Sequence, residues 1–232
     1  MAQAKFFNKG TLRGTVAKNE IVEFDKKDNS GKGKLLAMEI NTGGTNKVRV
    51  TFFDSKANPD KLKDINETWK PNSKVEVSGA ITERENEGNN GKKFIERGVN
   101  GFTIKAKRDD AKDGAFFIYQ GTVTKLVETA DGANVTVRYE DKFTPTSGAN
   151  KGVEQTREEF ITLSANEAAM DVISDVDLSV GCNAKFKGQI FNSLELDDYG
   201  DVIGNVQMYL IEKVEDVIQK DEIEEQEKPD FI

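Results

Sequence analysis

Amines gather in two short, glycine-containing stretches of the chain. DKKDNSGKGK, residues 25 to 34, carries Lys26, Lys27, Lys32 and Lys34, and ENEGNNGKK, residues 85 to 93, ends on Lys92 and Lys93. Between them KVRVTFF alternates, with Val48, Val50 and Phe52 on one face of an extended segment and Lys47, Arg49 and Phe53 on the other. Amines and a guanidinium neutralise phosphates, and an aromatic ring stacks on a base for ~1 to 3 kcal/mol each. Cations beside a ring therefore suit a groove for single-stranded nucleic acid. Plainer roles compete with this one. Loop lysines are commonly just solvated, a bulge would turn Phe53 into the core, and Trp69 reads as a core plug rather than a base platform.

Other chemistries are poorly supplied. Without a single histidine the chain lacks the commonest general base and metal ligand, which removes zinc sites and Ser-His-Asp or Cys-His machinery. The lone Cys182 cannot close an internal disulfide. NSGKGK and EGNNGKK lack the G-x-x-x-x-G-K-[ST] pattern of a phosphate-binding loop. Asp197, Asp198 and Asp201 concentrate oxygen atoms in LELDDYGD, but their spacing matches no calcium loop, and a solvated hairpin turn accounts for them. No catalytic residue, cofactor or metal is expected.

The elements that would hold the cationic residues come in two copies. Gly14-Thr15-Val16 recurs as Gly121-Thr122-Val123, an offset of 107; Ala57-Asn58 recurs as Ala165-Asn166, an offset of 108. Gly79 recurs as Gly188, and Val99 with Ile104 as Val206 with Ile211, in the same order. In the first copy alternation marks strands around Leu12 to Val16, Leu36 to Ile40 and Val48 to Phe53. A helix over SKANPDKLKDINETW follows, with a Ser or Asn cap before Pro59 and with Leu62, Ile65 and Trp69 at helical spacing. Strands from Val75 to Ile81 and from Phe94 to Ala106 complete the copy. The second repeats it, with strands near 115–129, 133–143, 154–163, 183–192 and 202–214 and a helix with Met170 and Ile173 on one face.

Each half is thus β-β-β-α-β-β, and a helix between strands three and four is the arrangement of the oligonucleotide/oligosaccharide-binding (OB) barrel, a five-stranded Greek key. Another small β-barrel or sandwich is the competing architecture. The expectation is a mainly β protein of two tandem OB-fold barrels, residues 1–110 and 111–214, followed by a disordered acidic C-terminal tail, 215–232. Charge is divided along the same lines. Residues 1–110 hold 22 Lys+Arg against 16 Asp+Glu, residues 111–211 hold 8 against 16, and residues 212–232 hold 3 against 9. In such barrels ligand lies across strands two and three, flanked by the loops joining strands one to two and four to five. Both loops of the first copy are basic. Their counterparts, ETADGANV and SLELDDYGDVIG, lack lysine, so the second barrel is expected to bind nucleic acid weakly or not at all. Arg138, Lys142, Lys151 and Arg157, with Tyr139 and Phe143 nearby, are its only hint of a phosphate contact.

Tandem barrels, a basic aromatic groove and the terminus DEIEEQEKPDFI together resemble single-stranded DNA-binding proteins, above all those encoded by bacteriophages. The likeness is one of architecture over the whole chain. In bacterial and phage members an acidic tail ending in Phe recruits polymerases, helicases, primases or recombination proteins and competes with DNA for the groove. The resemblance gives that role here to Asp230, Phe231 and Ile232, with Asp221, Glu222, Glu224, Glu225 and Glu227 as the acidic part. Two features depart from the bacterial pattern. The chain ends on Ile rather than Phe, and two barrels in one chain suggest a monomer or dimer rather than a tetramer of single barrels.

The resemblance implies a non-catalytic protein that coats and protects single-stranded DNA in replication, recombination and repair. No secretory signal or membrane span is visible, so the cytoplasm of a bacterial host cell is the expected location. A protein-interaction or virion structural module built on the same barrels is the alternative, and a nuclease using carboxylate-bound metal is a third.

Overall fold

The computed structural model describes residues 6–25, 31–54, 58–87, 91, 93–144, 152–196 and 202–220, with only the backbone at 87, 193–196 and 202–205. Twelve elements follow one another: β1 (Phe7–Asp25), β2 (Lys32–Asn41), β3 (Lys47–Phe53), α1 (Lys61–Thr68), β4 (Lys74–Glu87), β5 (Lys93–Ala106), β6 (Gly114–Thr129), β7 (Gly132–Phe143), β8 (Gln155–Asn166), α2 (Glu167–Asp175), β9 (Asn183–Leu196) and β10 (Val202–Ile218). The β-β-β-α-β-β order occurs twice, and the mainly β, tandem OB-barrel architecture is the observed one.

Strand pairing closes each repeat on itself. β1 pairs antiparallel with β2 and β4, β2 with β3, and β4 with β5, while β3 and β5 join in parallel at Val50–Val99 and Thr51–Asn100. The second repeat runs β6–β7–β8–β10–β9 and returns to β6, with the parallel seam at Leu210–Ser164. Closure removes sheet edges, and inward alternation fills each barrel with branched side chains. Leu12, Val16, Leu36, Ile40, Val48, Val50, Phe52, Val75, Val77 and Val99 fill the first; Val123, Val135, Val137, Ile161, Leu163, Phe186, Tyr209 and Ile211 fill the second.

The repeated Gly-Thr-Val sits where closure demands it. β1 leaves β4 for β2 around Gly14 and Thr15, and a Cβ on Gly14 would lie 2.0 Å from the Asn41 carbonyl oxygen. At Gly121 the same atom would lie 2.2 Å from the Arg138 carbonyl oxygen of β7. A bulge follows both times, between Val16 and Lys18 and between Val123 and Lys125. Val16 donates its N–H to Ser73 (2.9 Å), and Val123 donates to Cys182 (2.9 Å). The sequence repeat is therefore a repeat of backbone bonding at a barrel corner.

Several expectations need correction. β1, β2, β4 and β5 run further than their alternation indicated, so Lys32, Lys34 and Lys93 lie on paired strands rather than in open loops. Cross-strand bonding continues past the point where hydrophobic periodicity stops, because paired backbone is satisfied whatever its side chains. Asp60, not Ser or Asn, is the α1 N-cap residue, and it makes no side-chain cap bond. Only Leu62 of that helix is buried; Trp69 is half-buried at its C-cap, its carbonyl accepting from Asn19 Nδ2 at 3.0 Å. In α2 the residue buried with Ile173 is Ala169 rather than Met170, and Asn166 caps the helix by accepting from the Ala169 N–H at 3.1 Å. β10 continues to Ile218, so residues 215–218 are strand rather than tail: Lys187 holds Glu215 at 2.6 Å and Lys185 holds Asp216 at 3.1 Å, compensating the carboxylates.

By proximity the described residues form two compact units, one within 9–117 with 189–208, the other within 6–8, 118–188 and 209–220. The first unit thus holds the β1–β5 barrel together with the ends of β9 and β10 that approach their connection. Among the described residues no helix is long and apolar enough to cross a membrane.

Candidate functional site

Register arranges the outer surface of the first barrel in rows. Val22 of β1, Leu35 of β2 and Phe53 of β3 are consecutive cross-strand neighbours; one step along lie Glu20, Ala37 and Thr51, and next Lys18, Glu39 and Arg49. β3 shows strict alternation with no bulge, so Lys47, Arg49 and Phe53 do share the outward face opposite Val48, Val50 and Phe52. An apolar row and a charged row therefore cross the three strands with one mixed row between them.

Beside this surface opens a groove of about 530 Å³. Glu39, Lys47 and Arg49 line one side, and Phe94, Ile95, Glu96 and Arg97 of β5 another; Asn192, Val206 and Gln207 form the third wall. Phe94 and Ile95 are each 51% exposed, a large cost in apolar contact with water for two adjacent strand residues. Arg97 is held by Glu83 at 2.8 Å and is only 14% exposed, so it is a positioned cation rather than a solvated one.

The sequence-selected cations divide. Lys47 and Arg49 meet in the groove. Lys32 and Lys34 stand on β2, both facing Glu23 of β1, at 3.9 and 3.4 Å. Lys93 is bound to Glu85 at 2.6 Å, and the hydrogen bond and charge of that carboxylate raise its ammonium pKa. The Arg49 guanidinium is bound to Glu96, whose other oxygen accepts from Asn86 Nδ2 at 2.8 Å. Phe53 is half-buried, with the Arg84 guanidinium 5.6 Å from its ring centroid. Lys26, Lys27 and Lys92 lie outside the described residues, as do Asp230, Phe231 and Ile232 of the terminus and Asp197, Asp198 and Asp201.

Sequence reasoning missed Arg84, Phe94, Ile95 and Arg97, and the carboxylates that hold the cations. A signal for Phe94 existed: it directly follows Lys92 and Lys93 in a segment already singled out for its amines. For Asn192 and Gln207 there was none, since they are about 145 and 158 positions from their β3 partners.

In the second repeat Arg138 is held by Glu140 (2.8 Å) and Glu158 (3.5 Å), Arg157 by Asp141 (3.2 Å) and Glu159 (3.4 Å), and Lys142 by Glu154 (3.7 Å). Tyr139 packs its ring against Phe6, and Phe143 is 40% exposed; Lys151 lies outside the described residues. Among the described residues no group of three or more His, Cys, Asp or Glu is placed to hold a metal ion.

The groove therefore offers cations at two levels, an exposed aromatic ring and fixed amides. That combination can hold a polyanion bearing flat apolar faces.

No family model matches the chain, and no curated protein matches it. Among solved structures it is similar to a deletion variant of the single-stranded DNA-binding protein from Thermus aquaticus, with a TM-score of 0.57 and 16% identity over 94% of this chain and 97% of that one. The wild-type protein of that organism gives a TM-score of 0.55 and 17% identity over 91% and 93%. At such identity the likeness is one of fold, and it extends over nearly the whole of both chains.

Proposed function

We propose that this chain binds single-stranded DNA along the outer face of β2, β3 and β5, without catalysis, and so coats and protects exposed strands during replication and recombination. One observation carries the reading: Lys47, Arg49 and Arg97 line the same groove as the exposed ring of Phe94. Phosphates pair with the cations and bases stack on Phe94, with Phe53 a second platform once Arg84 swings from its ring. The fold it shares with a single-stranded DNA-binding protein supports the same reading. Lys32 and Lys34 of β2 and Lys93 of β5 extend the basic footprint, and Lys26, Lys27 and Lys92 add positive charge next to them in the sequence. The acidic terminus, through Asp230, Phe231 and Ile232, recruits polymerase, helicase or primase, the role that the resemblance assigns to it.

Oligonucleotide anisotropy titrations of the full chain test the binding. Single strands bind in preference to duplex, and Phe94→Ala loses about 5- to 100-fold in affinity, the range of one stacked base. Arg49→Ala loses affinity and flattens the salt dependence by less than the slope of about 0.7 that an uncompensated phosphate contact contributes. Equal binding of duplex, or no response to either substitution, overturns the proposal. Truncation after Lys220 tightens DNA binding and abolishes capture of replication proteins if the terminus acts as stated.

A further inference from the structure

The ends of β9 and β10 bring two amides to an otherwise open stretch of β3. Among the described residues the β3–β5 register covers only Val50 and Thr51, so the Lys47 carbonyl and the Arg49 N–H, on the same side of β3, lie beyond it. Side chains replace the strand. Asn192 Nδ2 donates to the Lys47 carbonyl, and the Arg49 N–H donates to Gln207 Oε1 at 3.3 Å. Asn46 ties down the same segment, its Nδ2 donating to the Ile190 carbonyl at 3.0 Å and its Oδ1 accepting from the Asn192 N–H at 3.1 Å. Arg97 Nη1 donates to the Gln207 carbonyl at 3.3 Å.

These bonds dictate which way each amide faces. A carbonyl partner requires the NH2 of Asn192, and an N–H partner requires the oxygen of Gln207. Left over are one acceptor, Asn192 Oδ1, and one donor, Gln207 Nε2. Both are buried, neither has a hydrogen-bond partner, and both residues line the wall of the groove shared with Phe94. Buried polar atoms are almost always satisfied, and an unpaired donor and acceptor on two neighbouring strands of one groove wall point to a ligand that satisfies them.

We infer that Asn192 and Gln207 read the polar edge of a nucleobase that stacks on Phe94. The inference rests on the single-strand binding proposed above. Chemistry selects the base over the backbone of the strand. A phosphate oxygen only accepts, so it satisfies Gln207 Nε2 and leaves Asn192 Oδ1 empty, and deoxyribose within a strand has no hydroxyl to give. The Watson–Crick edge of a base presents a donor beside an acceptor and serves both. The groove is then selective at one nucleotide position while its cations remain indifferent to sequence.

The test uses the full chain and oligo(dT) in which a single thymine is replaced, position by position, by 2,4-difluorotoluene, an isostere that stacks but has no hydrogen-bonding edge. In the parent chain one replaced position weakens binding by about tenfold and the others by less than about twofold. Gln207→Glu keeps an oxygen for the Arg49 N–H, loses the free donor and adds a negative charge; Gln207→Met loses both groups and adds no charge. In each variant the selective position disappears; in Gln207→Met, which adds no charge, the salt slope also stays that of the parent, since no phosphate contact is touched. A profile without a selective position in the parent overturns the inference, as does a selective position that survives in Gln207→Glu. Failure of the parent to bind any single strand overturns the proposed function itself, which separates the two.

Discussion

The guanidinium of Arg49 is bound to the carboxylate of Glu96 on the neighbouring strand, and Glu96 is fixed in turn by Asn86. Arg49 is thus a cation with its counterion already built in. A phosphate that takes Arg49 must displace Glu96, which then attracts a solution cation, so the net release of ions on binding is smaller than the count of lysines and arginines implies. Glu96→Gln removes the competitor. Its affinity for single-stranded DNA rises about 3- to 10-fold at low salt, and the slope of log K against log salt steepens by up to about 0.7. An unchanged slope would show that Arg49 never leaves Glu96. Titrations at four or five salt concentrations decide it.

Gly14 and Gly121 hold the two barrel corners, where a methyl group would penetrate a backbone carbonyl of the adjacent strand. Relief requires the strands to separate at the point where the barrel closes. Gly14→Ala and Gly121→Ala each destabilise by about 2 to 4 kcal/mol. For a chain of this size that lowers the melting temperature by roughly 5 to 15 °C in calorimetry. If the substitutions leave the melting curve in place, the corner is not tight.

Glu76 pairs with Lys105 at 2.9 Å and with Arg13 at 2.6 Å, and its side chain is 14% exposed. The Lys105 hydrogen bond, then that of Arg13, holds its carboxyl below the usual 4.5. Because the folded value is depressed, the stabilisation is fully present above the unfolded pKa and is lost as pH falls through the folded one. The triad contributes about 1 kcal/mol, modest because Lys105 is largely exposed. Glu76→Gln lowers stability at pH 7 by that amount and narrows its gap from the parent below about pH 4. Urea titrations across pH 3 to 7 measure the gap, and a constant difference excludes the ion pairs as its source.

The repeat, the order of elements and the outward face of β3 were legible because each is a local pattern: two-residue alternation, a turn, a recurring tripeptide. Lys47, Arg49 and Phe53 emerged on one face for that reason. The pairing of those cations was not, because Glu96 is 47 positions from Arg49 and meets it only through the β3–β5 seam. Nor does a sequence say where hairpin pairing stops, so Lys32, Lys34 and Lys93 read as loop residues although they stand on strands opposite carboxylates. The amides of Asn192 and Gln207 were beyond reach altogether, since nothing local distinguishes them from any polar strand residue.

The grouping of residues 189–208 with residues 9–117 also sets an order of events during synthesis. A ribosome that has released the first 117 residues has released the β1–β5 strands, whose Lys47 carbonyl and Arg49 N–H still face water. Asn192 and Gln207 reach that segment only after some ninety more residues have emerged. Until then one carbonyl and one N–H of β3 stay bonded to water, and the groove has two walls instead of three.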